Sequence, residues 1–113
     1  MTGHVIDRAD GRTDGEHWDE EFDLGSYRAD ICIVMVSTQE AGYGPRLHQH
    51  PYPETFVIQR GSARFTIGDE ELIGRAGQVI VVPAQTPHTF RTLGPYEAVD
   101  IYANDEVIID WLE

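Results

Sequence analysis

The sequence contains no lysine, and this absence excludes several kinds of enzyme. A Schiff base with a carbonyl substrate or with pyridoxal phosphate needs a lysine amine, so neither chemistry is available here. The chain has 8 arginines and 20 acidic residues, which gives a net charge of −12. Because nucleic acids and anionic membranes bind basic patches, we expect neither as a partner.

Cysteines and long apolar runs are also scarce. Cys32 is the only cysteine, so no disulfide can form within the chain. It lies in an apolar run, which predicts a buried and unreactive thiol. The longest such run, residues 31–36, is too short to cross a membrane, and the N-terminal residues lack the apolar segment of a signal peptide. These absences predict a soluble, cytoplasmic protein.

Short apolar runs separated by glycine and proline turns are the main pattern that is present, and they indicate an all-β protein. No segment has a convincing helical period. A chain of 113 residues is one domain by length. We expect a polar N-terminal arm over residues 1–24, which could add an edge strand, and one β-domain over residues 25–113. The predicted strands of that domain are residues 31–37, 47–50, 55–59, 63–67, 71–73, 78–82, 89–92, 97–102 and 107–112.

Two histidines one residue apart, His48 and His50, are the strongest sign of chemistry. Residues i and i+2 of a strand point to the same face, so the two imidazoles would aim at one point. Glu54 begins the next apolar run, and its carboxylate could reach that point from a neighbouring strand. Imidazoles and a carboxylate suit a divalent first-row metal. His88 is the best candidate for a fourth ligand.

The spacing around these residues resembles the first motif of the cupin superfamily. That motif is Gly, five residues, His-x-His, three or four residues, Glu, six residues, Gly, and it is matched by Gly42, His48, His50, Glu54 and Gly61.

A second cupin motif follows after fifteen intervening residues. Gly77, Pro83 and His88 match it, while Gln85 replaces a glycine and Thr92 replaces an asparagine. These departures leave the ligand positions intact. The resemblance covers about residues 30–102.

The resemblance implies a jelly-roll barrel with a metal in an apolar interior that is open at one end. The metal would be Fe, Mn, Ni, Cu or Zn, with Fe or Mn favoured, held by His48, His50, Glu54 and His88. It further implies a dioxygenase-type oxidation of a small molecule, with isomerase or lyase chemistry next. A non-catalytic module that binds or senses a small ligand, and a metal that only stabilises the barrel, are the alternatives. Relatives of this kind suggest a homodimer formed through edge strands.

Three residues are candidates for catalytic roles. Glu54 could release the metal and accept a proton. Arg46 shares the strand parity of His48, so it could hold a substrate carboxylate or enolate, or else extend to solvent. Tyr52 could donate a hydrogen bond to a ligand, or simply pack its ring. Asp100 and Tyr102, which share parity on a late strand, are weaker candidates.

Overall fold

The computed structural model describes residues 3–13 and 19–113, and almost all of the regular structure in these ranges is β-strand. Two single-turn 3-10 helices, Arg8–Asp10 and Gly25–Tyr27, lie near the N-terminus. The strands are β1 (Asp19–Asp23), β2 (Cys32–Thr38), β3 (His48–Gln49), β4 (Glu54–Arg60), β5 (Ser62–Ile67), β6 (Glu70–Arg75), β7 (Val79–Val82), β8 (His88–Thr92), β9 (Tyr96–Tyr102) and β10 (Asp110–Trp111).

The strands form two antiparallel five-stranded sheets. One has the order β1-β2-β9-β4-β7, and the other has the order β10-β3-β8-β5-β6. Successive strands mostly lie in different sheets, as in a jelly roll, so the predicted all-β jelly-roll fold is confirmed. Within residues 3–13 and 19–113, no helix has the length and apolar character of a membrane span.

The core lies between the two sheets, and strict alternation along the long strands builds it. Along the whole of β9, and along the first five residues of β2 and β4, every second side chain is buried, as a strand with one face on a core requires. Four aromatic rings pack together in this core, with ring centroids 5.0 to 6.1 Å apart; they are Phe56, Phe65, Phe90 and Tyr96. Cys32 is fully buried beside this core, and burial raises the pKa of its thiol to about 11.

Two predicted strands are much shorter than expected, and the strand predicted over residues 78–82 begins one residue later. The predicted strand over residues 47–50 is reduced to His48–Gln49, because Pro51 and Pro53 cannot donate to a ladder and the chain bends there. The last predicted strand, 107–112, is reduced to Asp110–Trp111, which pairs with β3. The predicted N-terminal strand corresponds to β1, which pairs along its whole length with residues 32–36 of β2. Trp18 and His17 lie outside the described residues.

The fold accommodates both departures from the second cupin motif. Gln85 adopts the left-handed conformation, φ 59°, that glycine would take at this turn. Its N–H donates to the carbonyl of His50 at 2.7 Å, so the turn is fixed next to a histidine of the site. Thr92 replaces the asparagine, and its hydroxyl donates to Glu40 O and accepts from Tyr43 N–H.

Candidate metal centre

Four side chains from three strands and one bend converge inside the barrel. One ligand atom from each of His48, His50, Glu54 and His88 lies within 4.8 Å of the others. All four residues are at most 4% exposed. The sequence pattern therefore predicted which side chains meet here.

Strand register accounts for the convergence. His48 of β3 lies directly opposite His88 of β8, and their ring centroids are 4.3 Å apart. His50 follows β3 with the same parity. Glu54 is the first residue of β4 in the other sheet, where it pairs with Tyr102 of β9 and Val82 of β7. The site thus bridges the two sheets at one end of the barrel.

Each imidazole is held by a backbone carbonyl. The Nδ1 atoms lie 2.7 Å from Arg46 O for His48, 2.7 Å from Ile108 O for His50, and 2.8 Å from Thr86 O for His88. A carbonyl only accepts hydrogen bonds, so each Nδ1 carries the proton. In the neutral ring, Nε2 then presents its lone pair to the centre of the cluster. Such outer hydrogen bonds fix the tautomer and orientation of histidine ligands.

Glu54 lies among these Nε2 atoms. Its Oε1 is 3.1 Å from Nε2 of His50 and 3.0 Å from Nε2 of His88. Nε2 of His50 nevertheless has no well-formed hydrogen-bond partner in the described part of the chain, although it is buried. A buried nitrogen without a partner is costly. A cation placed among these atoms would satisfy it.

The ionisation states also suit a cation. Burial by itself would raise the pKa of Glu54, but the imidazoles of His50 and His88 more than offset it and hold that pKa below its usual value. Burial lowers the pKa of His48 to about 4, and the carbonyl of Arg46 opposes this only in part. At neutral pH, Glu54 is therefore an anion and His48 is a neutral ligand. Three imidazoles and a carboxylate fit Fe, Mn, Ni, Cu or Zn in the +2 state.

A cavity of about 490 Å³ adjoins the cluster. His48 and Glu54 form part of its wall, and Val34, Phe56 and Phe90 make another part apolar. The polar part of the wall includes Arg46, Asp100 and Tyr102. The cavity is large enough for a small organic molecule beside a metal.

Arg46 lies at the edge of this cavity and is exposed. Its guanidinium carbon lies 4.6 Å from the centre of the Trp111 ring, and Nη1 donates to Glu113 O at 3.3 Å. The position is compatible with a ligand contact and equally with exposure to solvent, as the sequence left open. Stacking on Trp111 restricts the guanidinium without neutralising it.

Tyr52, unlike Arg46, is buried, and both polar contacts of its hydroxyl are with the protein backbone. It is 5% exposed, and its ring stacks on His50 with centroids 5.0 Å apart. Its hydroxyl accepts from Ile108 N–H at 3.0 Å and donates to Ile108 O at 3.1 Å. Since the hydroxyl has only one proton, these contacts favour a structural role over donation to a ligand. The catalytic role of Tyr52 stays a prediction.

No sequence signal indicated that C-terminal residues belong to the site. Ile108 O supports His50, and the ring of Trp111 lies 5.3 Å from that of His48. Asp19 and Glu21 of β1 also line the cavity. A short apolar run at the chain end and an acidic arm gave no reason to expect these contacts, because both depend on long-range pairing.

A cupin domain model matches residues 34–102, which is more than half of the chain. The chain belongs to the cupin family. The match contains both histidine motifs and all four residues of the cluster. No protein of curated function matches the sequence.

Solved structures resemble this cupin in fold. A conserved protein of unknown function from Streptococcus pyogenes is 28% identical, with a TM-score of 0.63 over 71% of this chain and 69% of that chain. Oxalate decarboxylase from Bacillus subtilis, in a study of its Mn(II) centres, is 21% identical, with a TM-score of 0.78 over 98% of this chain. A formate complex of Lactobacillus farciminis oxalate decarboxylase is 20% identical, with a TM-score of 0.78 over 92% of this chain. This cupin spans about a third of each decarboxylase chain, 34% in both cases.

Proposed function

We propose that this cupin is a metal-dependent enzyme that acts on a small organic molecule. A divalent transition metal would be held by His48, His50, Glu54 and His88, with Fe or Mn favoured over Ni, Cu and Zn. The supporting observation is the set of four buried ligand atoms within 4.8 Å of one another, beside a cavity of about 490 Å³. A site that adjoins a cavity leaves room for an exogenous ligand, as catalytic metal sites do.

The metal would supply a Lewis acid and, if it is iron or manganese, a redox centre. Arg46 would bind a carboxylate or enolate oxygen of the substrate at the edge of the cavity. Phe56 and Phe90 would exclude water from the reacting atoms. Glu54, which is ionised, would be able to accept a proton if it left the metal during the reaction.

Dioxygenase-type oxidation of an enolisable or phenolic molecule is the reaction we place first. The apolar wall beside the cluster would accommodate such a substrate together with dioxygen. Lyase or isomerase chemistry comes second, and the likeness to oxalate decarboxylases with Mn(II) centres supports it. Both reactions would begin with a substrate that is bound through one of its oxygen atoms near Arg46 and the metal.

Turnover by the metal-loaded protein tests the proposal. Fe(II)- and Mn(II)-loaded protein would be offered diketones, flavonols, thiols and oxalate, while dioxygen uptake and carbon dioxide release are recorded. We expect one class to be converted, and the conversion to be lost in His48→Ala but kept in His4→Ala, whose histidine is exposed. Tight ligand binding without conversion of any class would favour a non-catalytic binding or sensing module.

The role of Arg46 has its own control. Arg46→Gln should raise KM by about tenfold or more with a smaller change in kcat, because a charged hydrogen bond to substrate is worth roughly 1.5–3 kcal/mol. Arg64→Gln is the matched control, since Arg64 is exposed and pairs with Glu71 on the surface. An unchanged KM in Arg46→Gln would remove Arg46 from the substrate site.

We also propose a homodimer. Strand β7 is at the edge of its sheet, and Val79 and Val81 on it are 60% and 58% exposed. Exposed apolar edges tend to be covered by another chain. Light scattering should give a dimer mass that falls to the monomer mass in Val81→Glu; a monomeric native protein would contradict this. A cytoplasmic location stays a prediction.

A further inference from the structure

Asp100 is a buried acid in the cavity wall that the metal cluster does not use. It lies in the middle of β9, between Val34 of β2 and Phe56 of β4. Its side chain lines the cavity, yet it is only 3% exposed. Oδ1 is buried and has no hydrogen-bond partner within residues 3–13 and 19–113. A polar atom in this position is costly unless something in the cavity pairs with it.

The surroundings of Asp100 disfavour its charged form. Its flanking neighbours are apolar, and the charged groups that act on it are the carboxylates of Glu54 and Asp19. Burial first, and then these two carboxylates, raise the pKa of Asp100 well above its usual value. Tyr96 and Tyr102, on the same face of β9, are neutral at pH 7, since burial raises the pKa of each phenol. These surroundings favour the neutral carboxylic acid form of Asp100, which has one O–H to donate.

We propose that Asp100 donates this O–H to an oxygen atom of the molecule bound in the cavity. The ligand class that fits is a small carboxylate or enolate. One oxygen would meet Asp100, and a second would meet Arg46, which lines the same cavity. An ammonium ligand would instead require Asp100 to be ionised. This inference rests on the proposed function only in placing the ligand beside the metal cluster.

The protonation state of Asp100 can be observed without any metal or turnover. Infrared spectra of metal-free protein labelled with ¹³C-aspartate, at pH 7, should contain the carbonyl band of a protonated carboxylic acid. The band should be absent from Asp100→Asn and present in Asp105→Asn, because Asp105 is exposed. If the wild-type protein shows no such band, Asp100 is ionised and the proposal is overturned.

Ligand binding tests the donor role. Malonate is the probe, titrated into Mn(II)-loaded protein by calorimetry. Asp100→Leu, which has no donor, should weaken malonate binding about tenfold, since a hydrogen bond to a charged group is worth roughly 1.5–3 kcal/mol. Asp100→Asn keeps an N–H donor and should stay within about threefold of wild type on the same reasoning. The carbonyl band of protonated Asp100 in the infrared spectrum (the acid band) should also shift when malonate binds.

Equal malonate affinity in Asp100→Leu and wild type would overturn the proposal, as would an acid band that malonate leaves unmoved. Binding of propylammonium in preference to malonate would overturn it in favour of an ionised Asp100. The melting temperature of each variant separates a lost contact from a damaged fold. Failure to take up Mn(II) or another metal would overturn the proposed function alone, and the infrared band of the metal-free protein would still decide the state of Asp100.

Discussion

Tyr52 and Ile108 are joined by two hydrogen bonds between the Tyr52 hydroxyl and the backbone N–H and C=O of Ile108. Ile108 N–H donates to the hydroxyl at 3.0 Å, and the hydroxyl donates to Ile108 O at 3.1 Å. The same carbonyl accepts Nδ1–H of His50 at 2.7 Å. The C-terminal segment, which has little regular structure, is thereby tied to a candidate metal ligand.

Tyr52→Phe should therefore weaken metal binding although Tyr52 is not one of the four ligands. The variant leaves Ile108 N–H without its partner and loosens the carbonyl that orients His50. We expect roughly a tenfold loss of metal affinity, at the lower end of the effects seen for such supporting groups, and a loss of about 1–3 kcal/mol in the free energy of unfolding. Metal titration measures the affinity, and urea denaturation measures the free energy of unfolding.

Tyr43→Phe is the control for that variant, since Tyr43 is 38% exposed. It should change neither quantity. If Tyr52→Phe bound metal as tightly as wild type, Ile108 would have no part in orienting His50.

Acid should destabilise the metal-free protein through His48. Burial lowers the pKa of His48 to about 4 from an ordinary 6.5. Between these values the His48 imidazole binds a proton in the unfolded chain but not in the folded chain, so its contribution to the free energy of unfolding falls as the pH falls. The slope for one proton is at most about 1.4 kcal/mol per pH unit. Urea denaturation in the presence of a chelator, from pH 6.5 to 4.5, measures it.

The contribution of His48 is isolated by His48→Gln, which cannot titrate. This variant should show a shallower slope over the same range. The range ends at 4.5, the ordinary pKa of Glu54, because Glu54 in the unfolded chain is already half protonated there and takes up more protons at lower pH. Identical slopes in wild type and His48→Gln would mean that His48 titrates normally in the folded protein.

Gln85 offers a prediction about backbone strain. A non-glycine residue at φ 59° lies in the left-handed region, which costs roughly 1–2 kcal/mol. Gln85→Gly should raise the free energy of unfolding by about 0.5–1 kcal/mol, because the added freedom of glycine in the unfolded chain offsets part of the gain. Gln59→Gly in β4 should instead be destabilising. Thermal denaturation compares the two variants. A change in stability of the same sign in both would contradict this interpretation.

Metal removal should lower the stability of the protein without unfolding it. Binding stabilises the folded state by about 4 kcal/mol when free metal is a thousandfold above its Kd. The core contains many apolar and aromatic side chains that pack without a metal, including Phe56, Phe65, Phe90 and Tyr96. Chelated protein should therefore melt cooperatively at a lower temperature, and the reloaded protein should bind azide. Complete unfolding on chelation, with no azide binding after reloading, would favour a purely structural metal.

Three of the four clustered residues were predictable because their pattern is local. His48 and His50 share a face by strand parity, and Glu54 begins the next strand. His88 was less certain from the residues alone, and it needed the second motif. Its pairing with His48 is a long-range register that no local pattern contains.

The rest of the site depends on where distant strands meet. The carbonyl of Ile108 supports His50 across 58 positions of sequence. Asp100 has no polar neighbour on the two adjacent strands, because the residues beside it there are Val34 and Phe56. Asp100 and Tyr102 are two residues apart on β9, so their side chains were expected on the same face of the sheet. No local signal, however, distinguishes a buried acid that has a hydrogen-bond partner from one that has none.

Metal analysis of protein purified without a histidine tag or a chelator tests the central claim most directly. It would be paired with the double variant His48→Ala, His88→Ala, and with His4→Ala as control. We predict near-stoichiometric iron or manganese in the wild type and in the control, and none in the double variant. A wild-type protein that contains no metal and takes up none of Fe(II), Mn(II), Ni(II), Cu(II) or Zn(II) would contradict the account and leave a β-barrel that binds small molecules by other means.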